Sequence, residues 1–493
     1  MGETALSSGL RWSGVSVVGR EAARIAFTIM LARLVGPEAF GIVAQAAVYI
    51  AIVGLLLDQG FSSALIQRPR VERDMPGAVV SVNLAVGAAL MVLTVAVAPA
   101  WAVFMDTPEL TLVLTLLAPT LLIRAASVTP RAVLLRQMSF RTIAIADVTA
   151  AVGGGVLGVA VALLGGSYWA IVVQIVTTDV LLLLVLIVAG AGIRPNLHLG
   201  YVRTIAGFSG QAFAAGVLIN SISRNIDNLL VGKFQGPEAL AFYGLAYRLL
   251  LLPVQLLTIT VGGVLFPAFS RHAQDRASIR SQLTRVTRML AVVVLPGMAL
   301  VAAAAPQLVT TIFGPDWEPA IPIVQVLAMA GAVQAIYQPS TTPLVLGLGH
   351  SALNLRYALL TAVVSTAGIV AGLPFGPFEV AVGYACAVAA LLPVEWIIRR
   401  RLLALALRTQ ARSLVPGAHV AAWVAGTYTL VAASIDGPEI VVLACGALLA
   451  LATGLGVMRA VHRPQFSELV LLGNRLIGRM KQQAVVERAG SVS

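Results

Sequence analysis

Charged residues are scarce in this chain of 493 residues. They make up 11% of it, and hydrophobic residues make up 59%, whereas soluble globular domains carry about 25% charged residues. A chain of this size cannot cover a water-exposed surface with so few charges, so a soluble globular protein is excluded. The composition predicts an all-α polytopic membrane protein.

Lysine is rarer still, and the sequence around the two lysines excludes nucleotide-driven transport within the chain. A P-loop needs Gly-Lys-Ser/Thr after a glycine-rich turn, but the two lysines, Lys233 and Lys481, are followed by Phe234 and Gln482. The GxGxxG match at 153–158 lies inside an apolar segment, where glycines favour close helix packing rather than dinucleotide binding. We therefore expect no nucleotide partner.

Cysteine and histidine are also few. The two cysteines lie in apolar runs, and the five histidines form no HxxxH or HExxH pattern. No metal site and no cofactor are indicated.

Long apolar runs fill the sequence instead. A membrane-spanning helix needs about 20 mostly apolar residues. Fourteen segments meet that requirement: 12–34, 40–61, 77–104, 110–130, 144–165, 168–190, 204–231, 240–266, 286–312, 319–345, 352–374, 378–398, 413–434 and 438–459. The segment 319–345 is interrupted by prolines and is the least regular of them.

The connecting loops alternate in charge. With 33 basic and 21 acidic residues the net charge is +12, and the excess follows topology rather than nucleic-acid binding, because cytoplasmic loops collect Arg and Lys. Arginines occupy the loops 62–76, 131–143, 191–203 and 267–288, the stretch after 398 and the C-terminal tail. The opposite loops 105–109, 314–318 and 435–439 are short and acidic, and Lys233 is the exception. The pattern predicts that both termini are cytoplasmic.

A short repeat divides the sequence. Gly-Pro-Glu-Ala occurs at 36–39 and again at 236–239, each time between two apolar segments. The offset spans six segments, so both copies keep one orientation, which predicts two parallel six-helix lobes. We predict an N-lobe over 1–195, a C-lobe over 196–400, two added helices over 401–460 and a cytoplasmic tail over 461–493.

Several charges fall inside apolar segments. A charge at the bilayer centre costs roughly 2.5–3.5 kcal/mol on insertion scales, so it needs a partner, a cavity or a function. In the first segment Arg20 and Arg24 share one helix face, and Glu21 can pair with Arg24, which leaves one positive charge in excess. Further polar groups in the sixth to eighth segments are Asp179, Asn220, Arg224, Asp227, Asn228 and Arg248.

Two interpretations of these groups stay open at this point. They could pair between helices and hold the bundle together, or they could line a water-filled cavity between the lobes. In a cavity, guanidinium groups suit phosphate because they donate bidentate hydrogen bonds, and amides suit sugar hydroxyls. The predicted substrate-binding set is Arg20, Arg24, Asn220, Arg224, Asn228 and Arg248.

Two parts of the sequence resemble a known family. Residues 31–41 with 58–66, and residues 224–232 with 264–271, resemble Wzx-type polysaccharide flippases of the multidrug/oligosaccharidyl-lipid/polysaccharide (MOP) exporter superfamily. Arg248 in its Tyr-Arg-Leu…Pro setting resembles the cavity arginine of the related lipid II flippases, and Arg24 resembles their first-helix arginine.

The resemblance implies a MATE/MOP-like fold of about fourteen helices in two lobes. It implies that the chain flips an anionic, polyprenyl-pyrophosphate-linked oligosaccharide across the bacterial cytoplasmic membrane, often with an ion gradient. Asp227 or Asp179 would then be the coupling carboxylate, and membrane lipids and polysaccharide assembly proteins would be partners.

Two alternatives are open: a MATE-like ion-coupled exporter of small molecules, and a membrane-bound polysaccharide polymerase or glycosyltransferase. An enzyme of that kind typically needs a large loop outside the membrane, and the sequence has neither such a loop nor a DxD motif. We therefore expect a transporter rather than an enzyme.

Overall fold

The computed structural model describes the backbone of residues 3–57, 74–189, 193–198 and 225–471, with the single positions 65, 72 and 200. Side chains are described from residue 19 onward within these ranges. This part of the chain is built from α-helices. They are α1 Glu3–Gly54, α2 Met75–Phe104, α3 Leu110–Arg136, α4 Phe140–Leu163, α5 Trp169–Val188, α6 Ile226–Phe234, α7 Gly236–Leu257, α8 Gly263–Arg271, α9 Arg276–Phe313, α10 Ala320–Gly347, α11 Ser351–Gly372, α12 Pro377–Leu403, α13 Leu407–Ser434 and α14 Glu439–Val461.

Twelve of the described helices are long and apolar enough to cross a membrane, so the predicted all-α polytopic class is confirmed. The count of twelve spans differs from the predicted fourteen for two reasons. The first two predicted segments form the single kinked helix α1, which counts once, and most of segment 204–231 lies outside the described residues. Segment 240–266 runs through α7, the π-helical stretch Thr258–Gly262 and α8, which together make one span, and each other segment corresponds to one helix.

The repeated tetrapeptide forms the same turn twice. Gly36 interrupts α1 with φ 77° and ψ 172°, and Gly236 has φ 87° at the start of α7. Backbone at these φ values is costly for residues that carry a Cβ atom, so glycine is required there. The following proline has its φ preset for the first helical turn, where a missing N–H costs nothing.

Several helices extend beyond their predicted segments. Helix α9 begins at Arg276, ten residues before the predicted segment, because a helix can extend beyond the bilayer once its side chains are polar; its 38 residues span about 57 Å. Helix α3 continues to Arg136, so Arg131 lies in a helix rather than in the predicted cytoplasmic loop. The proline-interrupted segment is the continuous helix α10, with Pro339 and Pro343 inside it.

The chain packs as two compact units, unit 1 over residues 1–241 and unit 2 over residues 242–493. The predicted lobe boundary at 195/196 stays a prediction. The glycine pattern at 153–158 lies within α4. A Cβ atom on Gly154 would lie 2.0 Å from Oγ1 of Thr178 in α5, so these glycines allow the close approach of two helices.

The hydrophobic core of unit 1 joins α1, α2, α3 and α5. Leu31, Tyr49, Met105 and Leu114 are among its buried members, and Leu229 of α6 packs against it. This core anchors the helices that carry the charged groups described below.

Unit 2 has two core clusters. One joins α8, α9 and α10 to the end of α12 through Phe269, Leu283, Leu344 and Leu403. The other joins α9 to α13 and α14, and the two added helices therefore belong to unit 2. Residues 463–471 are helical, and their Phe466 packs against the second cluster.

Candidate functional site

The charged side chains within unit 1 form two ion-pair groups along α3, which we call together the unit 1 charge cluster. Its members are Arg20, Glu21 and Arg24 of α1, Arg124 and Arg131 of α3, Asp147 of α4 and Asp179 of α5. Asp147 is buried and accepts two hydrogen bonds from Arg131, at 2.7 and 2.9 Å. Arg20 lies 3.6 Å from the same carboxylate, so one buried acid connects α1, α3 and α4.

Positive charge is in excess in this cluster. Four guanidinium groups face three carboxylates, which leaves one positive charge over. Glu21 pairs with Arg24 at 2.6 Å, as predicted, and also with Arg20 at 3.2 Å. The side chain of Arg24 is 67% exposed, against 38% for Arg20. The excess charge is therefore presented mainly by Arg24, in the middle of the first half of α1.

Asp179 forms the second group. Its Oδ2 accepts a hydrogen bond of 2.7 Å from Nε of Arg124, and its side chain is 12% exposed. The sequence singled out Asp179 as a polar group inside an apolar segment. It could not pair Asp179 with Arg124, since the two residues lie 55 positions apart on different helices. The coupling role of Asp179 stays a prediction.

Helix α6 carries the next predicted pair. Asp227 is 2% exposed, and its Oδ1 accepts the backbone N–H of Asn228 at 2.8 Å. The helix is held to α1 by Gln45, whose Nε2 donates to the carbonyl oxygen of Gly232 at 2.7 Å. Asp227 and Asn228 therefore sit on a short helix that is fixed within unit 1.

Lys233, the exception in the loop charges, has an acidic partner. Its Nζ lies 2.5 Å from Oδ2 of Asp106 and 5.4 Å from the ring centroid of Phe104. Asp106 belongs to the acidic loop 105–109, so the basic exception to the loop pattern is paired with an acid of that loop. The predicted orientation of the termini stays a prediction.

Three predicted site residues remain. Asn220 and Arg224 lie outside the described residues. Arg248 is exposed on α7 and belongs to unit 2. The structure thus brings Arg20 and Arg24 together with Arg131 and the acids Glu21 and Asp147, whereas Arg124 and Asp179 form a pair of their own.

A buried arginine in unit 2 escaped the sequence analysis, which placed it among cytoplasmic loop charges. Arg399 is 1% exposed, within the last turns of α12. Its guanidinium donates to hydroxyls of Thr287 of α9 and of Ser340 and Thr341 of α10, at 2.7 to 3.1 Å. Its Cζ lies 4.4 Å from the ring centroid of Tyr337. Hydroxyls and a π-face satisfy this cation where a carboxylate would be expected.

Glu395 lies one helical turn before Arg399 and is 6% exposed. The hydroxyl of Tyr357 in α11 donates to its Oε1 at 2.6 Å. Its Oε2 is buried and has no hydrogen-bond partner among the described residues. The i,i+4 spacing of an acid and a base near the end of an apolar segment was the sequence signal that could have revealed this pair.

No group of three or more metal-ligating side chains occurs among the residues that the structure describes. The chemistry offered by both units is electrostatic: fixed guanidinium groups, buried carboxylates and hydroxyls inside membrane-spanning helices.

Comparison with known sequences identifies relatives of the chain. The profile of a family described as "Polysaccharide biosynthesis protein" matches residues 30–322, more than half of the chain. The teichuronic acid biosynthesis protein TuaB of Bacillus subtilis is 28% identical over 341 residues, 68% of this chain and 70% of its own. The succinoglycan biosynthesis transport protein ExoT of Rhizobium meliloti is 26% identical over 399 residues, 79% of each chain.

Two solved structures share the fold. The lipid II flippase MurJ, in an inward closed conformation, has a TM-score of 0.69 at 13% identity, covering 91% of this chain and 99% of its own. An inward-facing MATE multidrug transporter of the MOP superfamily has a TM-score of 0.58 at 15% identity, covering 80% of this chain and 98% of its own. At these identities the likeness concerns the fold alone, and that fold is the predicted MATE/MOP-like one.

Proposed function

We propose that this chain, which belongs to the polysaccharide biosynthesis protein family, is a flippase for a polyprenyl-pyrophosphate-linked oligosaccharide. It would move this substrate from the cytoplasmic to the outer leaflet of the bacterial cytoplasmic membrane by alternating access. The relatives named for teichuronic acid and succinoglycan synthesis support a substrate that contains a polysaccharide unit. The lipid II flippase with the same fold supports a lipid-linked substrate.

The observation that carries the proposal is the exposed, excess guanidinium of Arg24. A cation inside a membrane-spanning helix is stable where it faces water or an anion rather than lipid. Arg24 keeps 67% of its side chain exposed although Glu21 pairs with it. A pyrophosphate carries negative charge and accepts bidentate hydrogen bonds, so it matches this group in charge and geometry.

The remaining predicted residues have proposed roles around this contact. Arg20 and Arg248 would supply further positive charge, and Asn228 would bind sugar hydroxyls. Asn220 and Arg224 stay in the proposed substrate-binding set on the sequence alone. Asp179 and Asp227 are the proposed coupling carboxylates within unit 1. The proposal also implies cytoplasmic termini and contact with polysaccharide assembly proteins.

The test is a flipping assay in liposomes. The purified protein is reconstituted with a fluorescent polyprenyl-pyrophosphate oligosaccharide, and the appearance of the label in the opposite leaflet is followed with and without an ion gradient. Wild type should flip it, Arg24→Ala and Arg248→Ala should abolish flipping, and Arg285→Ala, at the surface, should not. Normal folding of each variant is checked by gel filtration.

Two results would contradict the proposal. If flipping survives both arginine substitutions, these residues stabilise the structure and do not bind the substrate. If wild type moves no lipid-linked saccharide but exports a cationic drug, the chain is a small-molecule exporter instead. The ion-coupling assignment is tested separately: Asp179→Asn and Asp227→Asn variants that both keep full gradient dependence would refute it.

A further inference from the structure

Helix α10 of unit 2 carries two glutamines within its membrane span. Gln334 and Gln338 lie close to the midpoint of its 28 residues and are four residues apart, hence on one face. Gln334 is half-buried and Gln338 is exposed. Thr342, one further turn along, is half-buried and continues this polar stripe. Polar groups at this depth need water or a polar partner, because lipid hydrocarbon offers them no hydrogen bonds.

The same helix has a separate apolar face. Pro322 and Met329 are exposed on it, and Val326 and Val333 are half-buried. At about 100° per residue these four positions lie roughly 150° around the helix from the polar stripe. An apolar face suits the hydrocarbon of the membrane. The polar stripe therefore points away from the face that suits lipid, and it is stable against water or a polar ligand.

Helix α12 holds Gln334 in one orientation. The Nε2 of Gln334 donates a hydrogen bond of 2.6 Å to the hydroxyl of Tyr384, which is 7% exposed. The Tyr384 ring packs edge-on against the ring of Tyr247 in α7, with the centroids 5.9 Å apart. This hydrogen bond uses one of the two N–H groups of the Gln334 amide. The second N–H and the carbonyl oxygen are left for a ligand.

Close packing fixes α10 at the level of these glutamines. A Cβ atom on Gly331 would lie 2.9 Å from Cγ of Leu250 in α7 and 3.1 Å from Cε of Met298 in α9. Gly331 lies less than one turn before Gln334, so the backbone that carries the polar stripe is packed tightly against two other helices. An amide on such a rigid element loses little freedom when it binds a ligand.

The chemistry of the polar stripe favours a sugar. None of Gln334, Gln338 and Thr342 carries a formal charge, so the stripe offers no counter-charge to a pyrophosphate or to a cationic drug. Amides and hydroxyls donate and accept hydrogen bonds, as the hydroxyls of a sugar do. A site built to bind hydroxyl groups discriminates against ligands that lack them, because its own polar groups would be left unpaired.

We propose that Gln334 and Gln338 form a glycan subsite of unit 2, which binds the hydroxyl groups of an uncharged sugar residue of the substrate. Tyr384 is a positioning residue, because it is buried and orients the amide of Gln334. The subsite is separate from Asn228, which belongs to unit 1. This inference deepens the proposed flippase function and rests on it, since the subsite would bind the saccharide that the chain moves.

The test compares the binding of two kinds of lipid to the full chain in detergent, by isothermal titration calorimetry. One is polyprenyl pyrophosphate, and the other is the same lipid carrying an oligosaccharide from a series built of glucose, galactose or N-acetylglucosamine. Wild type should bind a glycosylated lipid of this series about tenfold more tightly than the bare lipid. Gln338→Leu and Gln334→Leu should each remove most of this preference and leave the affinity for the bare lipid unchanged, because only sugar contacts are lost.

Two further variants separate binding from general stability. Gln325→Leu is the matched control, because Gln325 is a half-buried glutamine on the opposite face of α10 from Gln334, and it should keep the wild-type preference. Tyr384→Phe should reduce the preference about threefold, since the Gln334 amide is kept but no longer oriented. A merely structural role of Tyr384 would weaken the binding of both lipids alike.

The inference is overturned if the preference survives both glutamine substitutions, or if wild type prefers no glycosylated lipid of the series. If the leucine variants do not fold, a preference that Tyr384→Phe leaves unchanged would overturn it as well. Flipping of the saccharide by wild type together with either result contradicts the subsite and leaves the proposed function intact. A wild type that neither binds nor flips the lipid-linked saccharides contradicts the proposed function, and the subsite with it.

Discussion

The two units stabilise the arginines of their membrane-spanning helices in different ways. In unit 1, Arg20 and Arg131 share the buried carboxylate of Asp147. In unit 2, Arg399 is held by three hydroxyls and an aromatic ring, while the acid one turn away bonds to a tyrosine. A direct ion pair fixes both of its partners, whereas neutral partners hold the guanidinium of Arg399 without bringing an acid into contact with it. Unit 1 therefore holds its intramembrane arginines with carboxylates and leaves one positive charge over for the proposed anion, and unit 2 holds Arg399 with neutral groups.

The largest expected effect comes from breaking the ion pairs of unit 1. Asp147→Asn removes the counter-charge of two arginines and should destabilise the protein by about 3 kcal/mol, near the low end for a buried pair because both arginines are partly exposed. The measurement is thermal unfolding in detergent. Asp106→Asn, which breaks the exposed pair with Lys233, is the control and should cost less than about 1 kcal/mol. Equal effects would mean that Asp147 does not organise the helices around it.

A double-mutant cycle sharpens the comparison in unit 2. Arg399→Met should destabilise by about 2 kcal/mol, because it leaves Glu395 buried without a balancing cation. In the double variant with Arg399→Met and Glu395→Gln, the loss in free energy of unfolding should be about 1 kcal/mol smaller than the sum of the two single losses. Additive losses would show that the two groups do not sense each other's charge.

Replacing the glycine of the repeated turn should reduce stability by a similar amount in the two copies. Gly36→Ala and Gly236→Ala should each cost about 1–2 kcal/mol, since alanine is strained at the observed φ. Gly244→Ala, in the helical part of α7 with no neighbouring atom within 4 Å of the added Cβ, is the matched control. It should be neutral or slightly stabilising. Thermal unfolding of the three variants distinguishes these outcomes.

The smallest expected effect is a pH dependence at the base of α13 and α14. Nε2 of His462 lies 3.0 Å from Nδ1 of His419, and burial followed by the charge of His419 lowers the pKa of His462 from 6.5. The folded state then binds fewer protons than the unfolded state, so stability is full above pH 6.5 and falls as the pH drops below it. In His462→Gln, the fall in melting temperature below pH 6.5 should be smaller than in wild type. His350→Gln should leave it unchanged.

The sequence predicted most of the fold because hydrophobic length decides where helices lie. The tetrapeptide repeat even located the two turns at Gly36 and Gly236. Helix extensions were missed where polar residues continue a helix past the bilayer, as at Arg276. Hydropathy reports the apolar core of the membrane and does not report helix ends in water.

The candidate site was predictable only in part. Local pairs such as Glu21 with Arg24 follow from helix spacing. The pairs Arg124–Asp179 and Lys233–Asp106 join distant helices, so one sequence cannot reveal them. Arg399 was assigned to a cytoplasmic loop, because it lies where apolar character fades. Its burial depends on the hydroxyls of α9 and α10.

The most direct test of the central claim measures whether the excess positive charge of unit 1 binds an anion. Polyprenyl pyrophosphate and uncharged polyprenol are added to the purified protein, and the shift in melting temperature is compared for wild type, Arg24→Lys and Arg24→Ala. A ligand at 100 times its Kd stabilises the folded state by about 2.7 kcal/mol. Wild type should be stabilised by the pyrophosphate alone, Arg24→Lys less so, and Arg24→Ala not at all. Equal stabilisation by polyprenol, or full stabilisation of Arg24→Ala by the pyrophosphate, would contradict the account.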